Sequence, residues 1–302
     1  MEYDRTGFAT APDGTRLFYG VRGRGPALIL DDGIGCDGWA WEHLQPHFAA
    51  THTVVHWHYR GHGRSAAPRD RTRIGIVDLA DDLMAVLDAV GAERPVHIGH
   101  SMGTQVCLET WRRHPTRTAA LVLVSGSSGR VTSTFHGSDT LNDVLPGIIE
   151  LVRKHKGVAR ALWGRMPARL SFRLAKMLGE VDGLALHEED FVRYMEHLAS
   201  MDPDLFLEML ERAGEHSAED ALPRIDVPVL VVSGERDTFT PPALSRLMAE
   251  RIPGAEYFEL RGASHAAPME QPASLELRIE KFLRERVPEA RMPVALAGDG
   301  AA

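Results

Sequence analysis

The chain has 302 residues, of which 44% are hydrophobic and 25% are charged, so it can bury a full core either as one large domain or as a core with an insertion. Its net charge of −8 at pH 7 argues against nucleic acid and against an anionic membrane as partners. No apolar run approaches the length of a membrane span, which argues against a helical membrane protein.

The first half of the chain predicts short strands that alternate with helices. Residues 6–22 predict two strands joined by a turn at Pro12-Asp13-Gly14. Further strands are predicted at residues 27–30, 53–57, 95–98 and 119–124, and helices at residues 41–50, 74–90 and 104–114. The fold class is therefore α/β, with a mostly parallel sheet flanked by helices, and such sheets bind ligands at the C-terminal ends of their strands.

Helical periodicity replaces this alternation between residues 125 and 222. Helices are predicted at residues 142–156, 161–178, 188–200 and 204–214. Because the segment is inserted before a later strand, we expect it to form a helical cap over the site. Its apolar residues are Trp163, Met166, Phe172, Met177, Phe191, Met195, Met201, Phe206 and Met209. Most of them fit ordinary helix packing, and Trp163, Phe191 and Met195 are the candidates to line a pocket for a hydrophobic substrate.

Strand patterns return near the end of the chain, at residues 227–233 and 256–260. The predicted organisation is a core formed by residues 1–126 and 222–288, with residues 127–221 as the inserted cap. The last segment, 289–302, is rich in Ala, Gly and Pro and is predicted to be disordered.

The pentapeptide Gly99-His100-Ser101-Met102-Gly103 lies between a predicted strand and a predicted helix. A serine at a sharp strand-to-helix turn is a nucleophile elbow. The two glycines lack the Cβ atoms that would collide in so tight a bend, and the serine hydroxyl is left exposed. The pentapeptide therefore predicts Ser101 as a nucleophile.

A serine nucleophile needs a base within hydrogen-bonding distance and an acid that orients this base. Asp237 follows the strand at residues 227–233 and is the predicted acid; Glu235 is the weaker rival, and a turn aspartate is the alternative interpretation. His265 lies in a glycine-containing loop after the last predicted strand and is the predicted base. The order Ser, Asp, His along the chain is that of α/β-hydrolases.

Over residues 6–288 the chain resembles the α/β-hydrolase superfamily, in its esterase, lipase and lactonase-like branch. The resemblance rests on four motifs: the elbow at 99–103, Gly234-Glu235-Arg236-Asp237, Ser264-His265 with Glu270-Gln271-Pro272, and Tyr59-Arg60-Gly61-His62-Gly63-Arg64-Ser65. It implies that Ser101 attacks a carbonyl, that His265 relays the proton and that Asp237 fixes the imidazole. Two residues depart from the family pattern: Asp32 replaces a histidine before Gly33, and His58 replaces an aspartate.

The oxyanion hole is predicted to consist of the backbone N–H groups of Met102 and Ile34. Because both donors belong to the main chain, Asp32 does not remove them. A carboxylate close to the oxyanion would repel it, so Asp32 must point away or be held by hydrogen bonds. The simplest interpretation is that Asp32 stabilises the turn.

Two other motifs offer different chemistry. The sequence from Gly33 to Gly38 matches G-x-G-x-x-G, a dinucleotide-binding fingerprint, but no acidic residue ends the next strand to bind a ribose. His56, His58 and His62 have spacings that suggest zinc, but no carboxylate or cysteine beside them completes a site. We therefore expect neither a cofactor nor a metal, since serine chemistry needs none.

The sequence as a whole predicts a serine hydrolase that cleaves a carboxylic ester or lactone of a small hydrophobic substrate through an acyl-enzyme. An acyltransferase, a carbon-carbon bond hydrolase, a ligand-binding receptor with a vestigial triad and an NAD(P)-dependent oxidoreductase remain as alternatives. Cys36 and Cys107 are the only cysteines, and residues 1–5 are polar rather than signal-like, so the expected compartment is the cytoplasm. Neither the particular ester nor the oligomeric state follows from the residues.

Overall fold

The computed structural model describes residues 1–130, 132, 140–165, 167–178, 181–182 and 185–290. Within these residues the strands are β1 (Arg5–Thr10), β2 (Arg16–Arg22), β3 (Ala27–Asp31), β4 (Thr53–Trp57), β5 (Val96–His100), β6 (Ala120–Val124), β7 (Val229–Gly234) and β8 (Glu256–Leu260). They form one eight-stranded sheet in the order β1-β2-β4-β3-β5-β6-β7-β8. β1 pairs antiparallel with β2, and β2 with β4. All other neighbours are parallel, so the predicted fold class is confirmed.

Helices cover both faces of the sheet. Those of the core are α1 (Leu44–Ala49), α2 (Ile76–Val90), α3 (Met102–Arg113), α9 (Pro242–Arg251), α10 (Ala267–Glu270) and α11 (Pro272–Arg286). Between β6 and β7 lie α4 (Thr140–Lys154), α5 (Lys156–Trp163), α6 (Ala168–Leu178), α7 (Glu188–Ser200) and α8 (Pro203–Glu215). None of the helices in the described parts of the chain is long and apolar enough to cross a membrane.

Two predicted helices are interrupted in the structure, and a proline explains each interruption. The predicted helix at 41–50 is a 3-10 turn, Trp39–Trp41, followed by α1. Pro46 lies in the first turn of α1, where a missing N–H is tolerated, and it excludes a continuous helix from residue 41. The predicted helix at 161–178 is divided into α5 and α6, because Pro167 cannot continue α5. Met166, between them, lies outside the described residues.

The inserted helices pack directly on the core. Phe172, Leu186, Phe191, Met195, Leu198 and Met201 belong to the same buried apolar cluster as residues of the central strands such as Leu30 and Ile98. Tyr194 packs on Trp39, with 5.2 Å between the ring centroids. The two ends of the inserted segment lie side by side, since the Arg130 N–H donates to the His216 carbonyl at 2.9 Å.

The chain is well packed beyond α11, up to residue 290. Pro288–Ala290 forms a short 3-10 helix. Ala290 is buried, and its carbonyl accepts a hydrogen bond of 3.1 Å from His52 Nε2. The segment predicted to be disordered, 289–302, thus begins with two residues that lie in this 3-10 helix. The rest of that segment, 291–302, lies outside the described residues.

A buried ion pair joins the loop after β4 to α2, and it makes a testable prediction. Arg60 Nε donates to Asp82 Oδ2 at 2.7 Å and Arg60 Nη2 donates to Oδ1 at 2.5 Å, with both side chains fully buried. Replacement Arg60→Met leaves the Asp82 carboxylate without its partner, so the free energy of unfolding in urea should fall by about 3–5 kcal/mol. The double variant Arg60→Met/Asp82→Leu should recover part of this loss, because Asp13, 3.0 Å from Arg60 Nη1, still lacks its cationic partner. An unchanged urea midpoint for Arg60→Met contradicts the prediction.

Candidate active site

Ser101 occupies a strained turn between β5 and α3. Its φ is +55° and its ψ is −119°, a conformation that a residue other than glycine rarely adopts. The flanking glycines make the turn possible: a Cβ on Gly99 would lie 2.4 Å from the Gly103 carbonyl oxygen, and a Cβ on Gly103 would lie 2.1 Å from that of Asp31. The predicted elbow is thus formed, with Ser101 half-buried at the C-terminal edge of the sheet.

The structure brings Ser101, His265 and Asp237 together. Ser101 Oγ lies 3.0 Å from His265 Nε2. His265 Nδ1 lies 2.9 Å and 3.0 Å from the two carboxylate oxygens of Asp237. The side chain of Asp237 is fully buried and that of His265 is 17% exposed. An Nδ1–H that donates to Asp237 leaves the Nε2 lone pair facing the hydroxyl, so this line can move a proton away from Ser101 Oγ.

Asp237 is held in its charged form. Its Oδ1 accepts hydrogen bonds from the backbone N–H groups of Phe239 and Thr240, both at 2.9 Å. Burial opposes the charge, but the facing His265 and the hydrogen bonds from Thr240 outweigh it and lower the pKa of Asp237. The rival acid, Glu235, is exposed and accepts the Gly262 N–H at 2.8 Å, so it stabilises the loop instead.

The loop that carries His265 is anchored by a carboxylate that sequence reasoning quoted only as part of a motif. Glu270 is buried, and its two oxygens accept hydrogen bonds from the Ser264 N–H at 2.7 Å and the Ser264 hydroxyl at 2.6 Å. Glu270 Oε1 also accepts the Asp182 N–H of the inserted segment at 2.6 Å. The Phe239 ring stacks on the imidazole of His265, with 4.9 Å between centroids. Glu270 and Phe239 together fix the orientation of His265.

His100, inside the elbow, is a second residue that the sequence did not single out. Its ring is buried, and His100 Nε2–H donates to the His265 carbonyl at 2.9 Å. Burial and the neighbouring His265 lower the pKa of His100 to about 3, so the ring is neutral. The elbow therefore holds the backbone of the loop that carries the imidazole. In the sequence, only the position of His100 next to the predicted nucleophile could have indicated this role.

The segments predicted to supply the oxyanion donors both lie next to Ser101. Met102 is the first residue of α3, where backbone N–H groups have no partner within the helix. Gly33 packs against Ser101, since a Cβ on Gly33 would lie 3.2 Å from Ser101 Cβ. Ile34 follows in the same loop and is half-buried. The loop after β3 therefore passes directly beside the serine.

Asp32 is held through one carboxylate oxygen and is part of a buried chain of side chains. Its Oδ2 lies 2.8 Å from His56 Nε2, and His56 Nδ1 lies 2.8 Å from the hydroxyl of Tyr3. Burial raises the pKa of Asp32. His58, the other departure from the family pattern, accepts the Arg64 N–H through Nδ1 at 2.7 Å. Asp32 and His58, the two residues that depart from the family pattern, therefore each have a hydrogen-bond partner within the fold.

The loop from Gly33 to Gly38 does not have the geometry of a dinucleotide-binding motif. The loop from Gly33 to Gly38 leads into the 3-10 turn at Trp39–Trp41 and not into a helix N-terminus that could hold a pyrophosphate. The Gly35 N–H within this loop donates to His62 Nε2 at 3.1 Å. In the part of the chain that the structure describes, no group of three or more His, Cys, Asp or Glu residues is arranged so that it could hold a metal ion such as zinc.

The predicted pocket residues pack mainly against other apolar side chains. Phe191 and Met195 are 8% and 7% exposed and belong to the core cluster. The Trp163 ring packs on the Phe206 ring at a tilt of 49°, with 5.3 Å between centroids. Phe206 and Leu198 approach the loop after β3, since a Cβ on Gly35 would lie 3.2 Å and 2.9 Å from them. Sequence reasoning did not select Leu198, although it lies over the loop beside Ser101.

Buried neutral histidines predict acid sensitivity. Burial lowers the pKa of His62 to about 4, whereas a histidine in an unfolded chain has a pKa near 6.5. As the pH drops below about 6.5, the unfolded state therefore takes up a proton before the folded state does, and the free energy of unfolding falls. The variant His62→Gln keeps an acceptor for the Gly35 N–H but cannot take up this proton. Between roughly pH 6 and pH 4, its free energy of unfolding should therefore fall less steeply than that of the wild type, by about 1.4 kcal/mol for each pH unit. Urea titrations at several pH values measure it. The exposed control His155→Gln should leave the slope unchanged, and an equal slope for His62→Gln contradicts the prediction.

Residues 26–272 match the family described as alpha/beta hydrolase fold, so the chain belongs to this family and is an α/β-hydrolase. Among its curated relatives, the "Putative carbamate hydrolase RutD" of Azorhizobium caulinodans is 27% identical over 253 residues, which cover 83% of this chain and 88% of the relative. RutD of Caulobacter sp. is 28% identical over 276 residues, covering 88% and 95%.

Solved structures agree on the fold. The enol-lactonase from Burkholderia xenovorans LB400 superposes with a TM-score of 0.74 at 23% identity, covering 92% of this chain and all of that one. The thermophilic esterase from Thermogutta terrifontis gives a TM-score of 0.76 at 23% identity, covering 93% and 98%. Est816, described as an N-acyl homoserine lactone degrading enzyme, gives a TM-score of 0.69 at 25% identity, covering 91% and 100%.

Proposed function

We propose that this protein is a serine hydrolase that cleaves the carboxylic ester or lactone bond of a small hydrophobic substrate. The observation that carries the proposal is the line from Ser101 Oγ to His265 Nε2, 3.0 Å, and from His265 Nδ1 to Asp237, 2.9 Å. Such a line on a strained elbow activates a hydroxyl for acyl transfer.

In the first half of the reaction, Ser101 Oγ attacks the carbonyl carbon while its proton passes to His265 Nε2. The carbonyl oxygen becomes an oxyanion, which the N–H groups of Met102 and Ile34 stabilise. When the tetrahedral intermediate collapses, the bond to the alkoxide breaks and His265 returns the proton to this leaving oxygen. Ser101 is left as an acyl ester.

In the second half, water replaces the alcohol. His265 takes a proton from the water as its oxygen attacks the acyl carbon, and the same N–H groups hold the second oxyanion. Collapse of this intermediate releases the carboxylic acid and returns the proton to Ser101 Oγ. Asp237 keeps the proton of the imidazole on Nδ1 and stabilises the imidazolium that forms in both halves.

Residues 127–221 act in this proposal as the cap, over a core of residues 1–126 and 222–288. Support comes from the adjacency of the two ends of the segment and from the contacts of Leu198 and Phe206 with the loop beside Ser101. These apolar side chains favour a hydrophobic acyl or lactone ring. Trp163 contributes through Phe206, against which it packs, whereas Phe191 and Met195 hold α7 in place.

The names of the similar proteins support the same chemistry. They describe an enol-lactonase, an esterase and an enzyme that degrades an N-acyl lactone, each of which implies attack on an activated carbonyl. The name of RutD describes a carbamate hydrolase, so a carbamate belongs in the substrate panel.

A fluorophosphonate probe tests the proposal directly. We expect the intact mass of the protein to rise by one phosphonyl group, with the label on Ser101 and no labelling of Ser101→Ala. Short-chain p-nitrophenyl esters, δ-valerolactone and an aryl carbamate then identify the substrate class. A folded protein that resists the probe and binds NADPH would instead support the dinucleotide alternative at Gly33 to Gly38.

A further inference from the structure

Exposed apolar side chains are concentrated on three of the inserted helices. Of the twelve large hydrophobic residues that are exposed in the described part of the chain, eight lie on α4, α5 and α6: Val144, Ile148, Leu151, Val158, Leu162, Leu170, Leu174 and Met177. Scattered exposed apolar residues are ordinary, but a concentration of this kind marks an interaction surface.

α6 has two apolar stripes on opposite sides. One stripe, formed by Ala168, Phe172 and Ala175, packs on the apolar cluster of the core. The other consists of Leu170, Leu174 and Met177, which are 51%, 45% and 73% exposed. At 100° per residue the two stripes lie about 180° apart, so the second cannot pack on the core at the same time. Ordinary helix packing explains only the first stripe.

Basic residues lie beside the exposed stripe. Arg169, Arg173 and Lys176 follow one another at helical spacing along α6 and form a third stripe between the other two. More broadly, residues 151–178 contain eight Lys and Arg and no Asp or Glu, in a chain whose net charge is −8. Within this set Arg153 and Lys156 pair with Glu208 and Asp204 of α8, and Arg160 pairs with Asp202 just before α8. Arg169 Nε lies 3.9 Å from Glu188 Oε1, and its side chain is 80% exposed. The net charge of −8 argues against an anionic membrane for the chain as a whole, but α6 itself contains three basic residues and no acidic residue.

A helix with an exposed apolar stripe beside a basic stripe has the pattern of helices that lie in the plane of a membrane interface. We propose that the exposed face of α6, together with Val158 and Leu162 of α5, docks on an anionic lipid surface. The apolar side chains enter the headgroup region, and Arg169 and Arg173 meet the lipid phosphates. Docking of this kind requires no membrane-spanning helix. It is independent of the proposed hydrolysis.

The test is flotation of the full chain with vesicles. We expect binding to vesicles of phosphatidylglycerol and phosphatidylcholine in equal parts at about 0.1 M salt, weak binding to phosphatidylcholine alone, and loss of binding at high salt. Arg169→Gln/Arg173→Gln should lower the partition coefficient by about thirtyfold. Leu170→Ser/Leu174→Ser should also lower it, whereas the matched control Lys281→Gln/Arg284→Gln on α11, which is also exposed, should not.

Ser101→Ala should bind vesicles as the wild type does, which separates this proposal from the proposed hydrolase function. Circular dichroism confirms that each variant is folded. Equal binding to both kinds of vesicle, or no binding to the anionic ones, overturns the proposal. So does a dimer in solution, measured by sedimentation, that the substitution Leu170→Ser/Leu174→Ser dissociates, because the face is then covered by a second copy of the chain.

Discussion

Ser101→Ala should lower kcat for a hydrolysed ester by about 10⁶-fold, because the substitution removes the atom that attacks the carbonyl. Alanine meets the same backbone demand at φ +55° as serine does, so the elbow and the fold should be retained. His265→Ala should cost about as much, since the three groups act as a unit and their effects do not add.

The measurement is steady-state turnover of a p-nitrophenyl ester, with thermal unfolding of each variant as the check on folding. The double variant Ser101→Ala/His265→Ala should be no slower than either single variant. Near-normal turnover by Ser101→Ala would falsify the assignment of the nucleophile. A large drop in melting temperature would instead show that the substitution acts through stability. In that case the variant Ser101→Cys, treated with an iodoacetamide probe, tests whether a reagent reaches the same position.

Asp237→Asn should lower kcat by about 10⁴-fold while the structure remains intact. In the wild type the Asp237 carboxylate accepts the Nδ1–H of His265, which leaves Nε2 free to accept the Ser101 proton. The asparagine amide can instead donate to Nδ1, so the proton of the imidazole moves to Nε2 and faces Ser101. The base is then in the wrong tautomer.

Glu235→Gln provides the matched control for this prediction. Glu235 lies on the same loop but is exposed and accepts only a backbone N–H, so its variant should keep the kcat of the wild type. The rate of fluorophosphonate labelling reports the nucleophilicity of Ser101 independently of substrate choice, and it should fall in Asp237→Asn but not in Glu235→Gln. A larger loss of kcat in Glu235→Gln than in Asp237→Asn would assign the acid of the triad to Glu235 instead of Asp237.

Local patterns predicted the strands accurately, because these are short runs of strand-forming residues between clear breaks. The observed bounds of β4 and β8 equal the predicted 53–57 and 256–260. The predicted bounds of the helices were less accurate where a proline interrupts an apolar pattern, as at Pro46 and Pro167. Hydrophobic periodicity continues across such a residue, whereas the backbone hydrogen bonds cannot.

For the candidate site, chain order alone predicted which residues converge. Ser101, Asp237 and His265 each follow a strand of one parallel sheet, so topology places them at one edge. The supporting residues were harder to predict. The contact between Asp32 and His56, and the contact of His56 with Tyr3, join residues far apart in the sequence, and no local pattern relates them. Glu270 stood in a motif, but its two hydrogen bonds to Ser264 depend on the exact path of the loop.

The hydrogen bonds of Glu270 also limit how this enzyme can be re-engineered. One carboxylate binds both the His265 loop and a backbone N–H of the inserted segment. A chimaera that exchanges residues 127–221 for those of a homologue therefore changes the support of His265, the proposed general base, even though no residue of the proposed triad is replaced. Grafts that retain a donor at position 182 should preserve turnover, and grafts that lack it should need compensating substitutions near Ser264.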